Sequence, residues 1–387
     1  MHDELNSGSG LVAAIALTVI SMAAFLVLPL YVGAAAEGLG LSQQQLGFLA
    51  SAVAAGSALS SVAMMFLVRR LPWRRTAAAS LLLLLVPMAG SLLVDDIRIF
   101  MALQGIAALG SGSTYSLALT ALADRRHPDR AFGFSVAAQV TFQVAGMLLL
   151  PQLVARAGID GILTLFIAME VVGLFLVRWL PDAGKALPAP VEKMAVVTVP
   201  ALLALFGCFF FFFNVGAVWT YIERMAVLEQ FTAQQIGSGL AIGVFFGIPG
   251  ALLASWCGDR FGRVAPLTLG AAGTVVALVM LRSGMSFSAY VMAVAIYNFV
   301  WNFSLAFQYA AVNAVDPGGR GVAAAPAFHG AGVAVGPGIA ALFVTATDLG
   351  SVNIVGGIGA VASLLLFIAA IVLAGRVPAP EREIPNG

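Results

Sequence analysis

Apolar residues run along this chain in long stretches, with polar and charged residues gathered in short clusters between them. A stretch of about 20 apolar residues is long enough to cross a bilayer as a helix. On that rule the runs predict helices over 10–34, 43–68, 76–94, 98–123, 131–154, 158–180, 198–225, 233–257, 264–282, 287–314, 321–346 and 351–375. Twelve such spans predict an all-α membrane protein. The interruption from Pro181 to Thr198 carries Pro181, Pro188 and Pro190 with mixed charge, and reads as a linker. It separates an N-terminal half, 1–180, from a C-terminal half, 199–387, with 181–198 between them.

The two halves repeat. Leu41-Ser42-Gln43-Gln44-Gln45-Leu46-Gly47 returns as Phe231-Thr232-Ala233-Gln234-Gln235-Ile236-Gly237, displaced by 190 residues. In each copy a hydroxyl residue is placed to cap the helix that follows, with polar side chains over its first turn. The same displacement pairs Tyr31 with Tyr221, Arg70 with Arg260, Gln139 with His329 and Gly146 with Gly336. A unit of six helices therefore occurs twice.

Composition agrees with the pattern. Of 387 residues, 61% are hydrophobic and 10% charged, with a mean hydropathy of +1.00, against roughly 45–50% and 25% in soluble domains. Lys+Arg 19 against Asp+Glu 18 leave a net charge of +1, with no basic excess to suggest a nucleic-acid partner. Arg98, Arg156, Arg224 and Arg282 fall on one side of the predicted bundle, and the remaining lysines and arginines on the other. The positive-inside bias puts that richer side, and both termini, in the cytoplasm of a multi-pass protein of the cell's inner membrane. Met1-His2-Asp3-Glu4 lacks the positive start of a cleavable signal, so the first span is expected to be retained. Cys208 and Cys257 lie in or at the end of apolar helices and give a disulfide no support. No zinc spacing, nucleophile elbow or phosphate-cradling glycine loop occurs, so the expectation is no enzyme, no metal and no cofactor.

Between the eighth and ninth spans lies Ser255-Trp256-Cys257-Gly258-Asp259-Arg260-Phe261-Gly262-Arg263. A glycine-punctuated turn with one acid and two arginines cannot lie in hydrocarbon, where every backbone group needs an internal partner. It is a loop at a membrane face. Asp259 is placed to pair with arginine across the turn, and Gly262 permits close backbone approach. The stretch resembles the G-x-x-x-D-R-x-G-R signature of the major facilitator superfamily, carried between helices 2 and 3 and again between helices 8 and 9, with Ser255 in place of the first glycine. Leu103-Gln104-Gly105 in the fourth span is similar to the R-x-x-Q-G segment of that family, with Met101 in the arginine position. Gly332-Val333-Ala334-Val335-Gly336-Pro337-Gly338, in the eleventh span, is similar to an exporter signature that the fifth span lacks.

The resemblance covers nearly the whole chain. It implies twelve helices in two pseudo-symmetric six-helix halves around a central cavity, and secondary transport by alternating access. Asp259, Arg260 and Arg263 are then candidate gating residues. In the first half Arg69 stands opposite Asp259 and Pro72 opposite Gly262, so a cytoplasmic latch is expected to be stronger in the second half. The missing arginine at Met101 counts against the family's proton-driven exporters. Gly336 and Pro337 carry two readings, a gate or close helix packing with a proline bend.

Ionisable groups inside a membrane are rare and usually functional. Glu170 lies near the middle of the sixth span, roughly 18 Å from either end at about 1.5 Å per residue, and is a candidate for proton coupling. The family likeness cuts the other way, because it implies that helices 3, 6, 9 and 12 support the others from the periphery. His329 titrates near neutrality in the unperturbed state and suits the same role, with a hydrogen-bonded packing histidine as the alternative. Glu223 and Arg224 close the seventh span after Trp219-Thr220-Tyr221-Ile222. They read either as an ordinary surface pair in an aromatic belt, or as an outer gate and proton site with Trp219 and Tyr221 reaching the substrate.

Uncharged polar groups complete the candidate substrate contacts. Gln139 and Gln143 share one helix face, as do Asn298 and Asn302, and Trp301 adjoins the second pair. Asn214 follows the run Phe209 to Phe213, half of which is expected to face lipid. Gln104 and Tyr115 punctuate the fourth span, and Tyr31 the first. Amides facing lipid are costly, so these face the interior, where some only bond neighbouring helices. The Asn298–Asn302 pair is the foremost substrate contact. No lysine or arginine lies deep in any span, so a neutral or largely apolar organic compound fits best. The expected partners are that compound, membrane lipid and protons, with the chain a monomer. The rival readings are a proton-antiport exporter of drugs or metabolites, a uniporter of organic acids, and a receptor or lipid scramblase.

Overall fold

The computed structural model describes residues 6–184, 198–316 and 320–375, so most of the predicted linker lies outside the described residues. Every long element among them is a helix: α1 Gly8–Leu26, α2 Leu28–Leu39, α3 Gln43–Leu67, α4 Trp73–Gly90, α5 Ile97–Ala123, α6 Pro128–Leu176, α7 Val199–Leu228, α8 Ala233–Cys257, α9 Val264–Met280, α10 Phe287–Val315, α11 Arg320–Ala341 and α12 Gly350–Ala374. From α7 onward these match the predicted spans one for one. In the first half, α1 and α2 share the first span, broken at Val27 (φ −111°, ψ 24°) just ahead of Pro29. Proline lacks an N–H and is best placed in the first turn of a new helical segment. The fifth and sixth spans both lie within α6, which breaks at Gly158 (φ 57°, ψ −150°), a backbone setting that favours glycine.

The repeat is visible in atomic detail at the helix starts. Ser42 Oγ accepts the Gln45 amide at 3.2 Å, and the Ser42 amide donates to Gln45 Oε1 at 2.9 Å. Thr232 and Gln235 form the same two bonds at 3.2 and 2.9 Å. Each box satisfies donors that a helix start otherwise leaves bare. These two turns mark one end of the bundle, here the Ser42 end; Arg69 and the 258–263 turn mark the other.

Three apolar cores organise the interior. The largest lies toward the Ser42 end and draws on both halves, joining Tyr31, Leu46 and Met147 to Trp219, Tyr221 and Tyr290. Toward the Arg69 end the core divides. One cluster, with Leu17, Trp73, Leu117 and Val177, belongs to the first half alone. The other, with Leu205, Phe303, Phe307 and Phe367, belongs to the second half alone. The halves therefore share a core at one end and keep separate cores at the other.

Small residues bring backbones together. A Cβ on Gly332 would stand 2.2 Å from the Phe209 carbonyl oxygen, and one on Gly336 2.1 Å from that of Phe213, so α11 lies directly on α7. The opposite side of α11 meets α3, with Gly47 against the Pro337 carbonyl and Gly338 against Ser51. Gly336 thus packs closely within the second half, while Pro337 turns its carbonyl to Gly47 of the first half and its ring to Gly216 of α7. None of Phe209 to Phe213 is exposed, so the expected lipid-facing half of that run is not seen; Phe206 is the exposed one.

Candidate functional site

A cavity of about 400 Å³ lies between the halves. Most of its wall comes from the first half: α1 and α2 from Ile20 to Leu28, α3 from Ala50 to Met65, and α5 from Gln104 to Leu119. The second half adds Phe212 of α7 and residues 326–333 of α11. Its deep end is buried, at Leu28, Ala50 and Met88. Met65 and Pro326, at the other end of the lining, are exposed, so the mouth lies toward the Arg69 end. The wall is mainly alanine, leucine, valine, methionine and phenylalanine, and among the described residues it holds no lysine, arginine or aspartate.

Several of its polar groups already have partners. Ser111 Oγ donates to the Ser21 carbonyl at 2.6 Å, Ser61 Oγ to that of Gly112 at 3.2 Å, and Gln104 Nε2 to Ser91 Oγ at 2.8 Å. Two buried atoms of the lining have none: Glu170 Oε2 and His329 Nε2. Glu170 is 2% exposed, and one turn earlier Phe166 packs against Tyr31 with ring centroids 5.9 Å apart. The His329 ring stacks on Phe212 at 4.2 Å, and its Nδ1 lies 3.5 Å from the Tyr309 hydroxyl. A buried polar atom without a partner costs free energy, and both of these belong to side chains of the cavity wall.

At the Ser42 end the halves are pinned together. The Tyr221 hydroxyl donates to the Gln43 carbonyl at 2.8 Å, from α7 to α3. Arg224 binds Glu223 through Nε at 2.6 Å and Nη2 at 2.7 Å, and reaches Glu37 of α2 at 2.8 Å. Gly33 makes room for the Glu223 carboxylate, which a Cβ there would meet at 2.5 Å. A Cβ on Gly237 would stand 2.3 Å from the Met147 carbonyl, bringing α8 onto α6. Glu223 and Arg224 are each only 6% exposed, so the expected surface pair is in fact buried inside the seal. Glu37, a partner that sequence reasoning missed, had no signal beyond its charge at the end of an apolar run.

The family model for the Major Facilitator Superfamily matches residues 13–325. The chain belongs to that superfamily. No curated protein sequence matches it. Among solved structures it is similar to a mutant of the nucleoside transporter NupG, at 12% identity with a TM-score of 0.74, covering 94% of this chain and 99% of that one. It is also similar to a structure of the proton dependent oligopeptide transporters, at 15% identity and TM-score 0.72, covering 95% and 98%. The inward open xylose transporter XylE from E. coli matches at 16% identity and TM-score 0.64, covering 97% and 95%. At such identities these structures share the fold, and the chain is a membrane-spanning transporter of the major facilitator type.

Within this major facilitator fold the predicted residues divide. Gln104, Tyr115, Glu170 and His329 line the cavity, and Glu170 does so from the sixth span, against the implied peripheral role of that helix. Trp301 stands one ring behind it, 6.2 Å from Phe212 and 6.1 Å from Trp219. Tyr31 is fully buried beside Phe166. Gln139 Nε2 donates to Ser135 Oγ at 3.1 Å, joining a bond from Ser135 to Thr18, and Gln143 is half-buried outside the lining. Asn214 accepts from Tyr297 through its backbone carbonyl and packs against Gly356. Asn298 and Asn302, the foremost candidates, lie outside the lining: each amide donates to the carbonyl four residues earlier in α10, at 3.0 and 2.9 Å, and Asn302 packs on Gly247 of α8. Ser57, Ser61 and Phe212 are cavity residues not proposed from the sequence; the four-residue spacing of the two serines on one helix face was the available signal.

The latch expectation is overturned. In the first half Arg69 binds Asp124 with two bonds, one of 2.9 Å, and the Asp124 side chain is 6% exposed. Arg74 adds Asp182 at 3.2 Å. In the second half Asp259, Arg260 and Arg263 are all exposed. Arg260 donates to the Trp256 carbonyl at 3.1 Å and lies over that indole, and Asp259 has no ion pair among the described residues. Putting arginine at the position of the motif's acid did not abolish the first latch, because the acid is supplied by the end of α5 instead.

Proposed function

We propose that this protein is a secondary active transporter that carries a small, neutral or largely apolar organic compound across the cytoplasmic membrane by alternating access. The observation that carries this reading is the division of the cores, shared at the Ser42 end and separate at the Arg69 end, with a cavity of about 400 Å³ opening between the separate parts. Two bodies joined at one end only can rock about the cavity between them. With the basic side in the cytoplasm, both termini are cytoplasmic and this state faces inward. Nucleosides, oligopeptides and xylose, named for the similar structures, carry many hydrogen-bonding groups. The present wall is mainly apolar, which favours a more apolar cargo.

Glu170 and His329, the acid and the histidine of the wall, couple that movement to protons, and the chain works as a monomer among lipids. Proton antiport in the export direction is the second reading, supported by the same lone carboxyl. The test is flux into proteoliposomes for a panel of labelled apolar and neutral compounds, under an imposed pH gradient of either sign. Accumulation driven by one sign and lost in His329→Ala or Glu170→Gln supports the reading. Flux that ignores the gradient in all three proteins removes the coupling, and the absence of concentrative flux from folded protein favours a receptor or scramblase.

A further inference from the structure

We propose that a notch on the lipid-facing side of the second half, at the Ser42 end, binds a phospholipid whose headgroup carries a primary ammonium. The notch has a volume of about 940 Å³ and lies where the ends of α7 and α9 meet the start of α12. It shares no lining residue with the cavity between the halves.

The chemistry of the notch changes with depth. Its rim carries Glu229, Arg282, Ser283, Thr347 and Asp348, all beyond helix ends. The wall below is Val275, Leu278, Val279, Ile354 and Gly357. From Gly350, at the start of α12, down to Gly357 the wall descends about 10 Å at about 1.5 Å per residue. The hydrocarbon of one leaflet is about 15 Å deep, half of the bilayer's roughly 30 Å. Val275, Val279 and Ile354 are exposed on the protein, so at that depth they meet acyl chains. Charges at headgroup level above an apolar wall follow the order in which a phospholipid is built.

The rim is held in place by the protein itself. Glu229 Oε1 accepts the Gly284 amide at 2.9 Å, tying the end of α7 to the turn after α9. Asn353 Nδ2 donates to the Leu281 carbonyl at 2.6 Å, tying α12 to the end of α9. Asp348 Oδ1 accepts the Gly350 amide at 2.7 Å. Each carboxylate keeps its second oxygen without a bond among the described residues. Arg282 is exposed and has no ion pair among them.

The charges choose the headgroup. One guanidinium suits a phosphate, which it grips with paired N–H groups. The two carboxylates beside it repel a headgroup that carries the phosphate alone, and accept N–H donors from an ammonium a short link away. A trimethylated ammonium offers no such donor. A soluble zwitterion would satisfy the rim but leave the apolar wall unused. Nor does the duplicated fold require these charges: the displacement of 190 residues puts Leu39, Leu92 and Gly158 at the places of Glu229, Arg282 and Asp348.

The experiment is native mass spectrometry of the full-length protein in detergent, titrated with phosphatidylethanolamine, phosphatidylcholine and phosphatidylglycerol of identical acyl chains. Phosphatidylethanolamine should fill one site about 3- to 10-fold more tightly than the other two, the worth of ion pairs partly in water. Glu229→Gln combined with Asp348→Asn keeps the backbone bonds through the amide oxygens and should erase that preference. Arg282→Gln should weaken all three lipids, whereas Arg98→Gln, at the same end of the first half, should change nothing. Gly357→Leu should fill the floor and cut the binding of all three; a Cβ there meets only the Leu278 side chain, at 3.9 Å, so the fold has room for it. If the double variant does not fold, the three-lipid comparison in the native protein and Gly357→Leu decide. Equal affinities for the three lipids, a preference for phosphatidylglycerol, or a preference that survives the double variant overturns the proposal. So does tight binding kept in Gly357→Leu, or a homodimer that excludes lipid from the notch.

Discussion

Replacing Arg224 by methionine tests what holds the Ser42 end closed. Arg224 has two acidic partners in unlike surroundings: the Glu223 side chain is 8% exposed and that of Glu37 is 59% exposed. The Glu37 pair crosses between the halves, yet it is half in water, where such pairs are worth at most about 1 kcal/mol. The Glu223 pair stays within α7 but is dry, with the carboxylate pressed against Gly33. Removing Arg224 leaves that carboxylate without its partner, and uncompensated buried charges cost about 3–5 kcal/mol. The order of damage should therefore be Arg224→Met at about 3–5 kcal/mol and Glu37→Gln at about 1 kcal/mol or less. The double variant Glu223→Gln with Arg224→Met should regain most of the loss, since it leaves no lone charge. Unfolding by SDS titration in mixed micelles measures all three. Glu37→Gln as harmful as Arg224→Met would show that the bond between halves outweighs burial, and a double variant no better than Arg224→Met would refute the charge argument.

Three further outcomes are expected. Gly336→Ala places a Cβ 2.1 Å from the Phe213 carbonyl, so α11 must lift off α7 at a loss of about 1–3 kcal/mol in the same titration; Gly330→Ala, which meets only the Ala58 Cβ at 3.0 Å, should lose less. Ser42→Ala and Thr232→Ala each remove one 3.2 Å capping bond and should cost about 0.5–2 kcal/mol apiece, by similar amounts in the two halves. Arg69→Gln removes the two-bond pair with the buried Asp124 and should cost about 1.5–3 kcal/mol, whereas Arg260→Gln, at an exposed turn, should cost far less. Equal losses at Arg69 and Arg260 would contradict the placement of the latch in the first half.

What the sequence made legible was local or averaged over a whole span. The capping boxes at Ser42 and Thr232 need only residues three apart, and both form as the repeat predicts. Twelve apolar runs likewise translate into twelve spans, with the fifth and sixth parted at Gly158 where the runs part, and the one unforeseen break at Val27 inside the first. Which face of a span looks into the cavity was far less legible, because that depends on neighbours distant in the chain. Asn298 and Asn302 share a face as predicted, but that face turns to Gly247 and each amide bonds its own helix. Glu170 was singled out as an acid within the sixth span, while its place in the cavity wall follows from how that span packs beside the broken first span. The latch was misread for the same reason: the partner of Arg69 lies 55 residues away, at the end of α5.

The central claim is that two halves rock about this cavity, closed at the Ser42 end when open at the Arg69 end. Gln44 and Gln234, exposed repeat-mates on opposite halves, report on the first end, and the exposed Phe134 and Leu252 report on the second. Spin labels on each pair, measured by pulsed electron resonance in nanodiscs with and without a cavity ligand, give the two distances directly. The account predicts a short Gln44–Gln234 distance with a long Phe134–Leu252 distance, and a second population in which both reverse together. Distances that vary independently, or a single population at both ends whatever ligand or pH is applied, would contradict it.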